Sequence, residues 1–261
     1  MSRLFPIASS SSGNCTYIGH RKDGILVDAG ITCKGIADGL ASGGIDPKSL
    51  GGIFITHEHT DHIQGLRVLV KKYGVPVFAS KETACALMLT DVAEVAEHIH
   101  VLESNVSIGD LRIERFSTSH DCMGSSGYVI RFPDGRKCAV CTDLGFVSEE
   151  VHHALSGCTA VLFESNHDVN MLQKGTYPPH LKNRILSDRG HLSNVSCAAE
   201  LQRLVETGTV HIVLGHLSRE NNRPEIARRC TVAALMDKHM VEDRDYTLYI
   251  APPKNGKAII F

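Results

Sequence analysis

The stretch Ile53-Phe54-Ile55-Thr56-His57-Glu58-His59-Thr60-Asp61-His62 joins an apolar run to a dense group of potential metal ligands. The β-branched and aromatic residues at 53–55 predict a buried strand. The H-x-H-x-D-H pattern that follows offers four donors within six residues. Imidazoles two residues apart in an extended chain project to the same side, whereas the Asp and His behind them enter a turn and can face a second ion. We therefore expect a pair of divalent metal ions at the end of this strand.

Three further donors follow later apolar runs in the same manner. They are His120 after the run 111–116, Asp143 after 138–142 and His216 after 211–215. Because each one terminates a predicted strand, we expect all three to lie beside the first cluster. The seven donors divide into His57, His59 and His120 for one ion, Asp61, His62 and His216 for the other, and Asp143 as a bridge between them.

The remaining periodicity indicates a layered α/β fold. Ten strands are predicted at 16–18, 24–27, 52–55, 75–79, 111–116, 127–132, 138–141, 160–163, 211–214 and 247–250. Seven helices are predicted at 31–41, 65–73, 81–89, 147–155, 179–186, 194–206 and 224–239. Ten strands need more than one small sheet, so we predict a four-layer αβ/βα sandwich in which helices flank two sheets. A length of 261 residues with 43% hydrophobic content is consistent with a single domain, residues 1–261.

Composition narrows the classes of function. The formal net charge is −2 and the pI is about 6.7, so any binding to nucleic acid must come from a local basic patch. Nine cysteines without a secretory signal indicate reduced thiols and a cytoplasmic location, and no apolar run reaches membrane-spanning length. Cys138 and Cys141 have C-x-x-C spacing, but on a strand they point to opposite faces, so we expect both in the core.

The chain resembles the metallo-β-lactamase superfamily, whose five sequence motifs occur here in the same order. They are Asp28 in the segment 26–30, the pattern at 57–62, His120, Asp143 and His216. The resemblance implies the αβ/βα sandwich and a role for Asp28 in bracing the metal-binding loop. Flavodiiron proteins place a carboxylate at the position of His59, and the best-known lactamases place a Cys at that of Asp143. The all-nitrogen and oxygen donor set instead favours a hydrolase with two ions, zinc or manganese.

Further segments resemble the YycJ family, also called WalJ, of bacterial cytoplasmic 5′-to-3′ exonucleases that act on double-stranded DNA. These segments are 9–14, 164–168, 177–179, 190–194 and 215–222. The chain is also similar, more distantly, to ribonuclease Z and the phosphodiesterase PhnP, and Glu164 and His191 match their acidic residue and downstream histidine. The histidine that precedes this acidic residue in ribonuclease Z is Phe163 here, and the tRNA-gripping arm has no counterpart. A tRNA substrate is therefore not expected.

The chemistry expected from this arrangement is phosphodiester hydrolysis. A hydroxide that bridges two ions attacks phosphorus, and Asp61 helps to hold the metals. His191, held by Glu164, protonates the departing sugar oxygen. Phosphate groups of the nucleic acid, DNA in the first instance, need additional donors. The candidates are Ser10, Ser11, Ser12 and Asn14 in the serine-rich loop, and Arg219, Asn221 and Asn222 after the last motif.

Two other classes of function stay open on the sequence. The same metal centre could serve a small-molecule hydrolase, such as a cyclic nucleotide phosphodiesterase, a thioesterase or a lactonase, because 5% aromatic residues and no Trp provide no track on which bases stack. A noncatalytic metal-dependent binding protein is the third class. The sequence fixes no oligomeric state. Of the remaining histidines we expect structural or surface roles for His98, His100, His152, His153 and His211, whereas His167 is open between an ordinary loop residue and support for Glu164.

Overall fold

The computed structural model describes residues 1–261, in which fourteen strands form two seven-stranded sheets. The first sheet has the order β14-β1-β2-β3-β4-β5-β6 and consists of β1 (Ser2–Ala8), β2 (Cys15–His20), β3 (Asp23–Val27), β4 (Gly52–Phe54), β5 (Val77–Ala79), β6 (Ile99–Val101) and β14 (Ile259–Ile260). The second has the order β13-β12-β11-β10-β9-β8-β7 and consists of β7 (Asn105–Ile108), β8 (Leu111–Ser117), β9 (Ser126–Arg131), β10 (Lys137–Cys141), β11 (Ala160–Glu164), β12 (His211–Gly215) and β13 (Thr247–Ile250). Both sheets mix parallel and antiparallel pairs.

Nine α-helices cover the two sheets. They are α1 (Cys33–Ser42), α2 (Thr60–Ile63), α3 (Leu66–Tyr73), α4 (Lys81–Leu87), α5 (Glu149–Leu155), α6 (Val169–Lys174), α7 (Pro179–Ile185), α8 (Asn194–Glu206) and α9 (Pro224–Asp237). Short 3-10 helices occupy Pro47–Ser49 and Asp91–His98. None of the helices is both long enough and apolar enough to cross a lipid bilayer.

Three hydrophobic cores separate four layers. One core packs α1, α3 and α4 on the first sheet, a second packs α5, α8 and α9 on the second sheet, and the third lies between the sheets. Cys138 belongs to the core between the sheets and Cys141 to the core beneath the helices, as their spacing on a strand requires. This arrangement confirms the predicted αβ/βα sandwich.

All ten predicted strands and all seven predicted helices are present, with no end shifted by more than two residues. The pattern misses β1 because Pro6 interrupts it. Proline cannot donate a backbone hydrogen bond to a neighbouring strand. In β1, however, only Arg3 and Leu4 pair with β14, and the pairing of β1 with β2 shifts register between Pro6 and Ala8. Pro6 therefore sits beyond the short edge strand and at an irregularity, the two places where a sheet tolerates it.

The topology places the carboxyl ends of several strands at one rim. In the first sheet β3 and β4 run parallel, and in the second sheet β10, β11 and β12 run parallel. The chain turns sharply just beyond three of these ends, where Asp28, Asp143 and His216 adopt left-handed φ values of 62°, 61° and 54°. Residues other than glycine adopt this conformation rarely, and they do so most often at functional sites.

Candidate metal centre

The four donors of the first motif come from the end of β4 and the start of α2. His59 is the extended residue before α2, with φ −63° and ψ 146°, and the helix begins at Thr60. The predicted turn is thus a single helical turn, which carries Asp61 and His62 away from His57 and His59 toward a second position. Backbone hydrogen bonds from Asn14 to Asp61 and from Ala29 to His62 anchor this turn against neighbouring loops.

The structure brings six of the seven predicted donors together in two adjoining groups. Within each group, one potential ligand atom of every member lies within 4.8 Å of those of the others; the groups are His57, His59 and His120, and Asp61, His62 and His216. In the first, His57 Nε2 and His59 Nδ1 are 3.0 Å apart. In the second, Asp61 Oδ2 lies 3.5 Å from His62 Nε2 and 3.7 Å from His216 Nε2. These two groups have the membership expected from the sequence. Two other sets of neighbouring donors meet the same distance limit: His57, His62 and Asp143, and Asp143, Glu164, His191 and His216.

Asp143 lies between the two groups. Its Oδ1 is 3.7 Å from His120 Nε2, and its Oδ2 is 3.2 Å from His62 Nε2 and 2.8 Å from His216 Nδ1. The residue is only 1% exposed. One carboxylate oxygen is thus directed to each group, which is the geometry that a bridging ligand needs.

Buried hydrogen bonds fix the orientation of two ligand rings. His62 Nδ1 lies 2.7 Å from Asp28 Oδ2, and Asp28 also accepts from the backbone N–H of Thr56 at 2.8 Å. The Nδ1–H of His120 donates to the carbonyl oxygen of Gly190 at 3.0 Å. A ring that donates from Nδ1 leaves Nε2 unprotonated and directed at the site, as metal-bound histidine requires. Asp28 lies where the resemblance to the superfamily implies that a brace should be.

The electrostatics of the cluster are those of a site that takes up cations. Burial raises the pKa of Asp143, but attraction to His216 and His62 outweighs it and holds that pKa well below its usual value. Burial and repulsion from His62 hold the pKa of His57 well below its usual value. Both side chains are therefore deprotonated near neutral pH, which is the state that binds metal.

The pKa of His62 is raised, unlike the pKa values of Asp143 and His57. Burial lowers its pKa, but the carboxylates of Asp28, Asp143 and Asp61 outweigh burial and raise the pKa well above its usual value. The negative charge of these three carboxylates thus keeps the ring of His62 protonated. A divalent ion bound at this position would balance the same charge. Binding of metal at this position should release that proton.

Glu164 and His191 form a second functional pair beside the metal ligands. Glu164 ends β11, is fully buried, and its Oε1 is 2.8 Å from His191 Nδ1. The backbone N–H groups of Leu144 and Leu192 donate to Oε2 at 3.2 and 3.0 Å. Burial lowers the pKa of His191, but Glu164 outweighs this effect and raises the pKa to about 9. Since Nδ1 is engaged, the Nε2–H of His191 is the free donor.

The predicted phosphate contacts separate into buried and accessible residues. Asn222 is 2% exposed and its amide nitrogen donates to the carbonyl oxygens of Ser165 and Asn166. Asn14, Asn221 and Ser10 are buried as well, and Asn14 Nδ2 lies 3.1 Å from His62 Nε2. The accessible candidates that remain are Ser11, Ser12 and Arg219, which line a common cavity.

Two residues at the site had no role in the sequence prediction. Asp121 directly follows a metal ligand; its Oδ1 lies 3.4 Å from His120 Nε2, and its carboxylate is paired with Arg184. Tyr177 lines the cavity that opens over His191. The signals available were the acidic residue beside His120 and the Tyr-Pro-Pro segment, but neither has a spacing that indicates chemistry.

The other histidines lie outside the cluster. His152 Nδ1 is 2.6 Å from Glu200 Oε1 in a separate pair. Four more histidines with expected structural or surface roles belong to no group of potential ligands: His98, His100, His153 and His211. His167 is 1% exposed and neither ring nitrogen has a hydrogen-bond partner. It therefore forms no hydrogen bond with Glu164.

The donors present fit divalent ions. The two groups and their bridge offer only imidazole nitrogen and carboxylate oxygen, and no thiolate. Such a set suits zinc and manganese, and neither ligand type alone discriminates between them. His120 donates from Nδ1 and leaves Nε2 for a metal, whereas His62 Nε2 lies 3.2 Å from Asp143 Oδ2 and 3.1 Å from Asn14 Nδ2 and must lose its proton before a metal binds there.

Comparison with known proteins agrees with this geometry. The family model of the metallo-beta-lactamase superfamily matches residues 10–216. The exodeoxyribonuclease YycJ of Bacillus anthracis is 36% identical over 250 residues, which cover 95% of this chain and 94% of that protein. The exodeoxyribonuclease WalJ of Streptococcus pneumoniae is 39% identical over 252 residues, which cover 95% and 93%.

Among solved structures, Zn²⁺-bound PqqB from Methylobacterium extorquens aligns over the full length of both chains with a TM-score of 0.73 and 13% identity. At that identity the likeness concerns the fold alone. The assignment to a family rests on the family model and the two relatives, which confirm the resemblance found in the motifs. The chain belongs to the metallo-β-lactamase superfamily and, within it, to the family of the YycJ and WalJ exodeoxyribonucleases.

Proposed function

We propose that the protein is a metal-dependent exodeoxyribonuclease that hydrolyses double-stranded DNA from the 5′ end, in a single hydrolase domain that spans residues 1–261. The observation that carries the proposal is the convergence of seven nitrogen and oxygen donors beside the Glu164–His191 pair. The two relatives named exodeoxyribonucleases match nearly the whole chain, which supports DNA as the class of substrate.

Two divalent ions, zinc or manganese, would be held by the two ligand groups. One would bind His57, His59 and His120, the other Asp61, His62 and His216, with Asp143 shared. When bound, such ions supply Lewis acidity, which makes a water molecule nucleophilic near neutral pH and neutralises charge on the phosphate oxygens. Asp28 and Gly190 would keep the rings of His62 and His120 in place as that charge develops.

His191 would act as the general acid. Its Nδ1–H donates to Glu164, which holds the ring upright and leaves the Nε2 proton directed to the cavity. The departing sugar oxygen needs a proton as its bond to phosphorus breaks, and a donor at this position supplies it. Glu164 is itself held by the backbone at Leu144 and Leu192, so the pair is rigid before substrate arrives.

A local basic patch would guide the DNA, since the whole chain has a net charge of −2. Arg219 and Arg223 are exposed where the chain leaves His216, and Arg184, which is paired with Asp121, is exposed at the cavity over His191. Arginine can bind phosphate through two parallel hydrogen bonds. We expect the sugar-phosphate backbone to run between these cations.

The experiment that tests the proposal is incubation of the metal-loaded protein with four substrates: end-labelled duplex DNA, single-stranded DNA, RNA and bis-p-nitrophenyl phosphate. We expect stepwise release of mononucleotides from 5′-phosphorylated duplex DNA. Asp143→Asn is the control variant, because it weakens both metal positions at once, and it should be inactive. Cleavage of the small ester alone would favour a small-molecule hydrolase, and cleavage of no substrate would leave a noncatalytic binding protein; either result overturns the proposal.

A further inference from the structure

A cavity of about 280 Å³ opens directly over His191. Its floor contains His191 and Ser218, and Ser11 of the serine-rich loop lies at its edge. Its other wall is the segment that contains α7, from which Tyr177, Leu181 and Ile185 line the cavity. A group that occupies this space is therefore in contact with the proposed general acid and with α7 together.

The apolar side of α7 faces this cavity and not a protein core. Leu181 and Ile185 are four residues apart on α7 and share one face of the helix, and Tyr177, which precedes the helix, lines the same cavity. None of the three belongs to the hydrophobic cores, and α7 has no buried residue. An apolar helix face is normally stabilised by the core it covers. Here it covers the reaction site, which indicates contact with a ligand that has an apolar surface.

Tyr177 stands at the point where two cavities meet. It lines the cavity over His191 and also a neighbouring cavity of about 550 Å³, whose wall includes Ser12 and Arg219. Arg184, which is paired with Asp121, lines the first cavity, and Arg219 lines the second, so each of the two cavities that meet at Tyr177 contains an arginine. A nucleotide combines a flat base with a negatively charged phosphate, so it can place the base against the phenol ring and the phosphate near an arginine.

The backbone holds this ring in place at little entropic cost. Pro178 follows Tyr177 and is extended, with φ −64° and ψ 154°, and Pro179 is the first residue of α7. A residue before proline is restricted to extended conformations, and proline is itself fixed in φ. Tyr177 is half-buried. The backbone at Tyr177 is therefore restricted before a ligand binds, and its ring is accessible.

We propose that Tyr177 is the stacking platform for the base of the 5′-terminal nucleotide, with Leu181 and Ile185 completing an apolar wall against its sugar and base. The inference rests on the proposed function and names its leaving-group subsite. His191 lies on the floor of this cavity and protonates the departing sugar oxygen, so the nucleotide beside His191 is the one that leaves. Stacking reads no base identity, because every base has a π-face. The platform thus explains how DNA of any sequence is accepted by a chain without Trp.

A binding experiment with metal-free protein tests the platform apart from catalysis. The probe is a 5′-phosphorylated duplex with 2-aminopurine as its 5′-terminal base, whose fluorescence is quenched on stacking. We expect quenching with wild type and Tyr177→Phe. Tyr177→Leu, which keeps the bulk but not the π-face, should not quench and should bind about tenfold more weakly, within the range for loss of one stacked base. Equal quenching by Tyr177→Leu would overturn the inference.

A kinetic cycle with the loaded enzyme gives the second test. Replacing the terminal base by an abasic analogue should raise KM about tenfold for wild type, and Tyr177→Leu should show the same KM on both substrates, because the contact is already lost. Phe146→Leu is the matched control: Phe146 is 44% exposed and lines a different cavity, so this variant should behave as wild type. If wild type degrades no DNA, the proposed function fails. If wild type degrades DNA and Tyr177→Leu still distinguishes the two substrates tenfold, only the platform is refuted.

Discussion

Hydrogen bonds at the Glu164–His191 pair determine which atom of the histidine can donate a proton. Both carboxylate oxygens of Glu164 are occupied, Oε1 by His191 and Oε2 by two backbone N–H groups. The ring of His191 therefore has one orientation and a single free donor, Nε2–H. The same ring lies near Asp143, with 3.7 Å between His191 Nδ1 and Asp143 Oδ1, so its role as acid must be separated from a role as ligand.

His191→Ala should retain both metal ions but lower turnover by about 10²- to 10⁴-fold, because only the proton donor is removed. The metal content per chain, measured by mass spectrometry, and the rate on duplex DNA are the two readouts. His153→Ala is the control, since that side chain is 75% exposed and lies outside the site. Loss of metal together with activity would reassign His191 as a ligand.

Asp28→Asn should weaken metal binding by roughly 10- to 100-fold, since it removes the charge that orients His62 through Nδ1. Asparagine is the suitable replacement because residue 28 has a φ of 62°, which Asn tolerates better than other side chains. Competition with a chromogenic chelator measures the affinity. Asp237→Asn, on the exposed end of α9, should match wild type. An unchanged affinity in Asp28→Asn would show that the brace is dispensable.

The clustering of the candidate metal ligands could be predicted from the sequence because each follows the end of a strand, where side chains of distant segments meet. The accessibility of the candidate phosphate contacts could not be predicted, because polarity does not reveal which way a side chain points. Asn14 and Asn222 are polar, yet both amides are turned inward and bonded to protein. The place of Tyr177 at the site could not be predicted either, because its position over His191 depends on how α7 folds back over the site.

At the level of elements, periodicity missed several of the shortest helices and strands in addition to β1. β6, β14 and α2 contain three, two and four residues, too few for a period to be visible. α2 matters most among these, because its single turn separates Asp61 and His62 from the first two histidines of the motif. The pattern therefore predicted the candidate ligands but not the helix that divides them.

Helix α8 begins three residues after His191, the proposed general acid, and its cap should affect the site. The Ser193 hydroxyl accepts from the backbone N–H of Ser196, and Ser148 accepts from Val151 at the start of α5 in the same way. Ser193→Ala and Ser148→Ala should each lower the free energy of unfolding by about 1 kcal/mol, measured by urea denaturation. Only Ser193→Ala should also lower kcat on DNA, since its helix start supports His191. Equal kcat values in the two variants would show that the loop before α8 holds His191 without the cap.

At the scale of the whole molecule, the metal centre joins the two sheets. The motif at 57–62 follows β4 of the first sheet, whereas His120, Asp143 and His216 follow β8, β10 and β12 of the second. Each ligand group thus draws on both halves of the sandwich. Cations bound there would hold the halves together, in addition to the apolar core between the sheets.

Metal binding should therefore raise the thermal stability of the entire fold. At a free ion concentration 100 times the dissociation constant, the gain is about 2.7 kcal/mol, which corresponds to an increase in Tm of roughly 5–10 °C for a chain of this size. Differential scanning fluorimetry of chelated protein, with and without added Zn²⁺ or Mn²⁺, measures it. The increase should nearly vanish in Asp143→Asn. An equal increase in that variant would assign the stabilisation to ions bound elsewhere.

The pairing of β1 with β14 brings the two ends of the chain side by side. Ser2 and Phe261 exchange two backbone hydrogen bonds of 3.1 Å, and the ligand-bearing loops lie at the far ends of other strands. A short peptide linker could join these termini, and new ones could be opened at the exposed Asp134–Gly135 hairpin between β9 and β10. A circular permutant of this kind would keep every donor in position while reversing the order in which the halves of the site leave the ribosome.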